Sequence, residues 1–216
     1  MSNYQKAVRH LKKCDPVLRA AIERVGTCAL HLEYELNQFG ALVDSIIYQQ
    51  LAFKAAQTIS RRFRQIYGSR DGAGPGRLPE PDELRRTPVR KLRAAGLSRQ
   101  KIGYMRDLAA KAADGTLALG RFGSMTNDAV IENVTQVKGI GRWTAEMFLM
   151  FSLRRLDVLP VDDLGLQYGF KEAFGMRALP AARTMLKRGE AWRPYRSIAT
   201  WYLWKLRRLQ TKSGGA

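Results

Sequence analysis

The sequence predicts an all-α fold. Three observations carry that prediction. Apolar residues recur at spacings of three and four along most of the chain, helix start signals stand between those stretches, and no segment alternates convincingly with period two. At 216 residues, with 45% hydrophobic and 26% charged residues, the chain can bury a core without disulfide or metal staples.

The elements follow in order. Asp15-Pro16 reads as an N-cap and a first-turn proline, opening a helix through about Val25. From Phe39 to Tyr67 the apolar positions Leu42, Val43, Ile46, Ile47, Leu51, Ala55, Ile59, Phe63 and Ile66 keep helical spacing. One helix, or two with a break near Gln49–Phe53, fits that run. Gly68 to Pro81 holds four glycines before Arg77 and prolines 75, 79 and 81, which makes it a surface loop. Further helices are expected at 81–86, 88–95, 98–113, 127–136, 143–153, 163–174, 180–187 and 195–210, with a disordered tail over 212–216.

Charge narrows the partners. Thirty-seven Lys and Arg against 19 Asp and Glu leave +18. Such an excess bears on partners rather than on fold, and nucleic acid, an anionic membrane surface or an acidic protein could each answer it. Arginine, the commoner of the two, suits bidentate phosphate contacts, which favours nucleic acid. Two cysteines and two histidines supply neither a disulfide framework nor a ready metal site. The longest apolar runs, such as Met147–Leu153, are too short to span a bilayer, and the first residues lack the apolar stretch of a secretion signal. A reducing, cytoplasmic setting is the expectation.

The most informative segment is Val134-Thr-Gln-Val-Lys-Gly-Ile-Gly-Arg-Trp-Thr-Ala-Glu-Met-Phe148. One helix ends before Gly139, Gly-Ile-Gly turns the chain, and a second helix begins near Arg142. Glycine at 139 and 141 permits positive φ and leaves backbone N–H groups uncovered. They adjoin a helix N-terminus, where further N–H groups and the helix dipole favour an anion such as a DNA phosphate. Ile140 is expected to anchor the turn in the core. A plain helical corner with a glycine cap would use the same residues.

Gly139-Ile-Gly-Arg-Trp-Thr-Ala145 resembles, residue for residue, the hairpin of the helix-hairpin-helix DNA glycosylase superfamily in its AlkA-type, DNA-3-methyladenine glycosylase II, branch. Leu159-Pro-Val-Asp-Asp-Leu164 is similar to the site of that family's catalytic Asp. Ile46-Ile-Tyr-Gln-Gln-Leu51 is similar to the segment that fills the gap left by a flipped base. Arg193-Pro-Tyr-Arg-Ser-Ile-Ala199 looks like the start of the last long helix. The likeness runs from about residue 15 to 209. Lys138 departs from the usual proline. The chain shows no strand pattern at its start, so it looks like a compact form without the β-rich N-terminal domain of some relatives.

The resemblance implies two helical lobes, one of about 38–155 that includes the hairpin and one of about 1–37 plus 156–216, with an active-site cleft between them. It implies a monofunctional glycosylase that flips alkylated purines (3-methyladenine, and 7-methylguanine as a second substrate) out of double-stranded DNA and hydrolyses the N-glycosidic bond. A glycosylase for uracil, hypoxanthine or another lesion, and a non-catalytic DNA-binding protein, are the alternatives.

The implied roles fall on particular residues. Asp163 is favoured as the catalytic carboxylate and Asp162 is its alternate; an Asp here also makes a good N-cap. The base pocket draws on Trp143, Trp204, Tyr48 and Trp201, since π faces attract cationic bases, with Met147 where relatives carry Tyr. Core packing is the competing use of each aromatic. Gln50 and Leu51 are the wedge candidates, and burial in a helix core competes for Leu51. Gly139, Ile140, Gly141, Arg142 and Thr144 are the phosphate-binding set. Bifunctional relatives place a Lys where Trp143 stands, and an indole cannot form a Schiff base, so no lyase activity is expected. No metal or cofactor is expected, although a monovalent cation at the hairpin is compatible with the resemblance. A monomer without an obligate protein partner, associated with the nucleoid if the source is bacterial, completes the expectation.

Overall fold

Every regular element among the described residues is helical. The computed structural model describes residues 3–30, 37–68 and 76–213, the last four of these by backbone alone. The helices are α1 (Asn3–Cys14), α2 (Pro16–Val25), α3 (Gln38–Tyr48), α4 (Phe53–Gln65), α5 (Pro81–Arg86) and α6 (Val89–Ala94). They continue with α7 (Arg99–Ala113), α8 (Asn127–Thr135), α9 (Arg142–Phe151), α10 (Leu164–Ala173), α11 (Ala182–Gly189) and α12 (Arg196–Ser213). They form two units, Met1–Tyr34 with Leu149–Ala216, and Glu35–Phe148; the division falls inside α9.

Three expectations need correction. Residues 3–14 form α1, which has no counterpart among the expected helices: it lacks an acidic first turn, and its fully buried face is only Ala7 and Leu11. The chain stays helical through Ser213, so 212 and 213 do not belong to a tail. Two short 3-10 turns, Phe122–Ser124 and Glu190–Trp192, were not expected. The stretch from Phe39 to Tyr67 is two helices, α3 and α4. Of the predicted loop, 69–75 lie outside the described residues, as do 214–216 of the tail. Arg77 N–H closes the loop on Gly68 O at 3.0 Å.

The unit made from the chain's two ends has a core of Leu11, Leu18, Ile22, Leu166, Phe170, Met185, Trp192, Ile198 and Tyr202. Helix α12 packs along α10 and α2. Close approach to α10 depends on Gly169, where a Cβ would sit 2.5 Å from Leu203 O. The buried Ser197 hydroxyl donates to Arg155 O (2.7 Å) and accepts from Val158 N–H (2.9 Å), tying the segment that leads to α10 onto α12.

Asp15 shows what a purely structural carboxylate looks like in this unit. It caps α2 through Val17 N–H at 2.9 Å, and takes the Trp192 indole N–H at 3.0 Å and Arg188 at 3.2 Å. Burial alone would raise its pKa; the bonds from Trp192 and Arg188, the Arg188 charge and the Val17 N–H outweigh that, and the net shift is downward. A carboxyl whose pKa falls on folding adds stability above its unfolded pKa and loses it as pH drops through the folded value. Asp15→Asn is therefore expected to cost about 2 kcal/mol at pH 7, discounted for the partly exposed Arg188, and progressively less below pH 4, as read by denaturant melts across that range.

The other unit buries Leu42, Val43, Ile46, Ile47, Phe63, Leu84, Leu92, Met105, Leu108, Phe122 and Val134. Helix α7 packs against both α5 and α3. Asp44 on α3 and Arg64 on α4 pair at 2.6 Å, with Ser60 donating to the same carboxylate at 3.1 Å.

Candidate functional site

The turn between α8 and α9 is held from three directions. Inside it, Ile140 N–H donates to Val137 O (3.0 Å), and Ile140 itself is 4% exposed, anchored in the core. Gly139 has φ +81°, and the space a Cβ would need is filled by the Tyr104 ring. Two independent constraints thus demand glycine at 139. Gly141 differs from expectation: its φ is not positive, and a Cβ there would meet nothing. Its carbonyl accepts Ala145 N–H at 3.1 Å as α9 begins, so glycine at 141 serves to leave the helix start bare. Lys138 N–H donates to Asp107 Oδ2 at 2.8 Å, a bond that a proline could not make.

At the start of α9, Arg142 and Gly141 are exposed, Thr144 is buried and Met147 is half-buried. Arg142 Nε pairs with the buried Glu146 at 3.1 Å. Trp143 is 47% exposed, unusual for a side chain of its size.

Between α3 and α4, residues 50–53 are exposed. Gln50 takes φ +56°, a left-handed conformation costly for a non-glycine residue. Leu51 and Phe53 are 40% and 66% exposed, so Leu51 is not a core residue. Tyr48 is half-buried and lies 5.9 Å from the Phe53 ring.

In the other unit, Pro160 O receives Asp163 N–H at 2.9 Å, turning the chain into α10. Asp163 caps that helix: Oδ1 accepts Leu166 N–H at 2.5 Å and the Trp204 indole N–H at 2.7 Å. Asp162 is exposed, whereas Asp163 is 9% exposed. Gly165 leaves room for this arrangement, since a Cβ there would lie 3.0 Å from Asp163 Oδ1 and 3.4 Å from the indole. Trp204 stacks on Phe151 at 6.1 Å with the planes 12° apart. Trp201, also considered for the pocket, is 3% exposed and packs edge-on against Tyr202 in the core.

Asp15 and Asp163 each cap a helix and accept an indole N–H. The Leu166 N–H and the Trp204 indole N–H orient the Asp163 carboxylate. Sequence reasoning missed Gln49, Lys101, Tyr104 and Asp107 around the turn, the exposed Phe53 at the start of α4, and Gly165 with Gly169. The last pair left a signal: two glycines four apart on one helix face.

Among the described residues no group of three His, Cys, Asp or Glu side chains could hold a metal ion. None of the described helices is long and apolar enough to cross a membrane.

The family described as HhH-GPD superfamily base excision DNA repair protein matches residues 43–194. DNA-3-methyladenine glycosylase 1 of Schizosaccharomyces pombe is 34% identical over 97% of this chain and 90% of its own length. The crystal structure of a DNA-3-methyladenine glycosidase from Bacillus halodurans is 38% identical, with a TM-score of 0.83 over 98% of this chain and 92% of that one. The S. pombe 3-methyladenine DNA glycosylase in complex with abasic DNA has a TM-score of 0.75 over 93% of this chain and 95% of that one, at 34% identity.

Proposed function

Since the chain belongs to the HhH-GPD superfamily of base excision DNA repair proteins, we propose that it excises alkylated purines, chiefly 3-methyladenine, from double-stranded DNA by hydrolysing the N-glycosidic bond. The observation that carries this reading is Asp163, a nearly buried carboxylate held by Leu166 N–H and the Trp204 indole. The kinship with 3-methyladenine glycosylases over nearly the whole chain supports it.

The chemistry needs little else. An alkylated purine is already cationic. When its bond to C1′ breaks, the electron pair leaves with the base nitrogen and neutralises it. Positive charge then develops on the deoxyribose, as in sugar hydrolysis, and Asp163 supplies the opposing anion. Water adds to C1′ and gives up its proton to solvent, leaving the neutral free base, an abasic deoxyribose and a solvated proton. Asp162, exposed and outside the cap, is left as the neighbour. Trp204, stacked on Phe151 and bonded to Asp163, is the aromatic face we assign to the cationic base. The buried Trp201 supports the fold there.

DNA is held through its phosphates at the bare start of α9, with Gly139, Gly141 and the residues to Thr144 presenting N–H groups. With +18 on the chain, affinity falls steeply with salt. Gln50 and Leu51 stand at the exposed tip suited to enter the duplex. No cofactor is required by this reaction. The carbonyls of Val137, Gly139 and Gly141 each already accept one N–H, so a monovalent cation at the hairpin would use their second lone pairs. An indole at 143 offers no amine, and we assign hydrolysis without strand cleavage. We also read the enzyme as a monomer.

Lesion range is tested with defined duplexes. Release of 3-methyladenine and 7-methylguanine, with far slower release of uracil and hypoxanthine, is expected. Preferential release of uracil or hypoxanthine would reassign the substrate, and DNA binding without release of any base would remove the enzyme reading.

A further inference from the structure

One face of α7 touches both structures that the proposed function brings to DNA. Lys101 Nζ donates to Ile47 O at 2.6 Å and to Gln49 O at 2.8 Å, at the end of α3. One turn on, the Tyr104 ring fills the space beside Gly139. Another turn on, Asp107 accepts Lys138 N–H at 2.8 Å and pairs with Lys111 at 2.6 Å. Residues 101, 104 and 107–108 follow one another on the same helix face. The chain closes the circuit itself: Gln49 Nε2 donates to Gly139 O at 2.9 Å.

The placement has an electrostatic logic. The last carbonyls of a helix lack partners within it and carry the negative end of its dipole. The Lys101 ammonium satisfies two carbonyls there, at the point where the chain must enter the left-handed conformation of Gln50. Burial holds the Lys101 pKa below its ordinary value. Withdrawing that ammonium from water costs free energy, which its bonds to the two carbonyls offset, so the interaction holds both carbonyls in place. The carbonyls belong to the two residues on either side of Tyr48, immediately before the exposed Gln50–Phe53 tip.

We propose that α7 is a positioning helix for base excision: Lys101, with Tyr104, Asp107 and Gln49, fixes the Gln50–Phe53 tip and the Gly139 turn in one register, so that the tip enters the duplex at a set distance from the phosphates the turn holds. This rests on the glycosylase reading. None of the four acts on the reacting atoms. Their effect runs through the tip, so it scales with the cost of unstacking the base.

That scaling supplies the test. Lys101→Met keeps the length and loses the bonds; Gln49→Met cuts the bond to the turn from a half-exposed side chain, and serves if Lys101→Met fails to fold. Single-turnover release of 3-methyladenine from a fully paired duplex is expected to fall about 10-fold or more in Lys101→Met, the order expected for misplaced groups. Affinity for undamaged duplex is expected to stay within about twofold, since the phosphate donors remain. With the lesion opposite an abasic site, where flipping is cheap, the loss is expected to shrink to about twofold. Lys101→Arg recovers part of the rate on the paired duplex. Equal losses on both duplexes, or no loss on the paired one, would overturn the proposal.

Fluorescence of 2-aminopurine beside an abasic-site analogue reads unstacking without catalysis. Wild type raises it, and Lys101→Met and Gln49→Met are expected to raise it less. An unchanged rise in both variants overturns the positioning role. A wild type that raises the signal but releases no base counts instead against the glycosylase reading.

Discussion

Asp163→Asn is expected to abolish base release while leaving a folded protein that still binds DNA. Asparagine is as good an N-cap as aspartate, and its Oδ1 can still accept Leu166 N–H and the Trp204 indole, so α10 and its contact with α12 remain. What disappears is the negative charge. Loss of a single group that stabilises transition-state charge typically costs 10²–10³-fold in rate, and at least about that is expected here in single-turnover release of 3-methyladenine. Thermal melting should move by only a few degrees. Asp162→Asn, on an exposed side chain, should release base at close to the wild-type rate. The reverse pattern, with Asp162→Asn inactive and Asp163→Asn active, would exchange the two roles.

The second large effect is expected at Gly139. Alanine there must hold φ near +81°, at a cost of about 1–2 kcal/mol, and its Cβ must displace the Tyr104 ring, at a cost of about 1–3 kcal/mol more. The turn cannot keep both its shape and its place on α7. Affinity for duplex DNA, followed by fluorescence anisotropy, is expected to fall about 10-fold or more, together with a clear drop in melting temperature. Gly141→Ala separates the two glycines. Its φ is ordinary and its Cβ enters open space, so stability should hold within about 0.5 kcal/mol. DNA affinity should still fall, because the methyl group covers a backbone N–H at the helix start. Loss of stability without loss of affinity at Gly141 would contradict the account of the turn.

Much of the helical order was legible because caps and periodicity are local. Asp15-Pro16, Ser98, Thr126 and Asp163 stand as side-chain caps at the starts of α2, α7, α8 and α10. Helix α1 was not legible, because a stripe of Ala7 and Leu11 among basic residues falls below what a periodic pattern can show. The site divides along the same line. The hairpin and the Asp pair are contiguous in sequence and could be read there, with the resemblance giving them roles. The bonds that hold them are not contiguous. Trp204 reaches Asp163 across 41 residues, and Lys101 reaches Ile47 across 54. Periodicity says which face a residue lies on and nothing about which distant carbonyl it meets. Gly141 shows the converse limit: the residue type is plain in the sequence, but the reason for it is bare backbone rather than a positive φ.

The central claim is that this chain removes an alkylated purine by hydrolysis. It is tested most directly by incubating the wild-type protein with methylated duplex DNA and analysing both products. The account predicts free 3-methyladenine by chromatography, with strands that remain intact until alkali cleaves them at abasic sites. DNA that is bound but yields no free base, or strands cut without alkali, would contradict it.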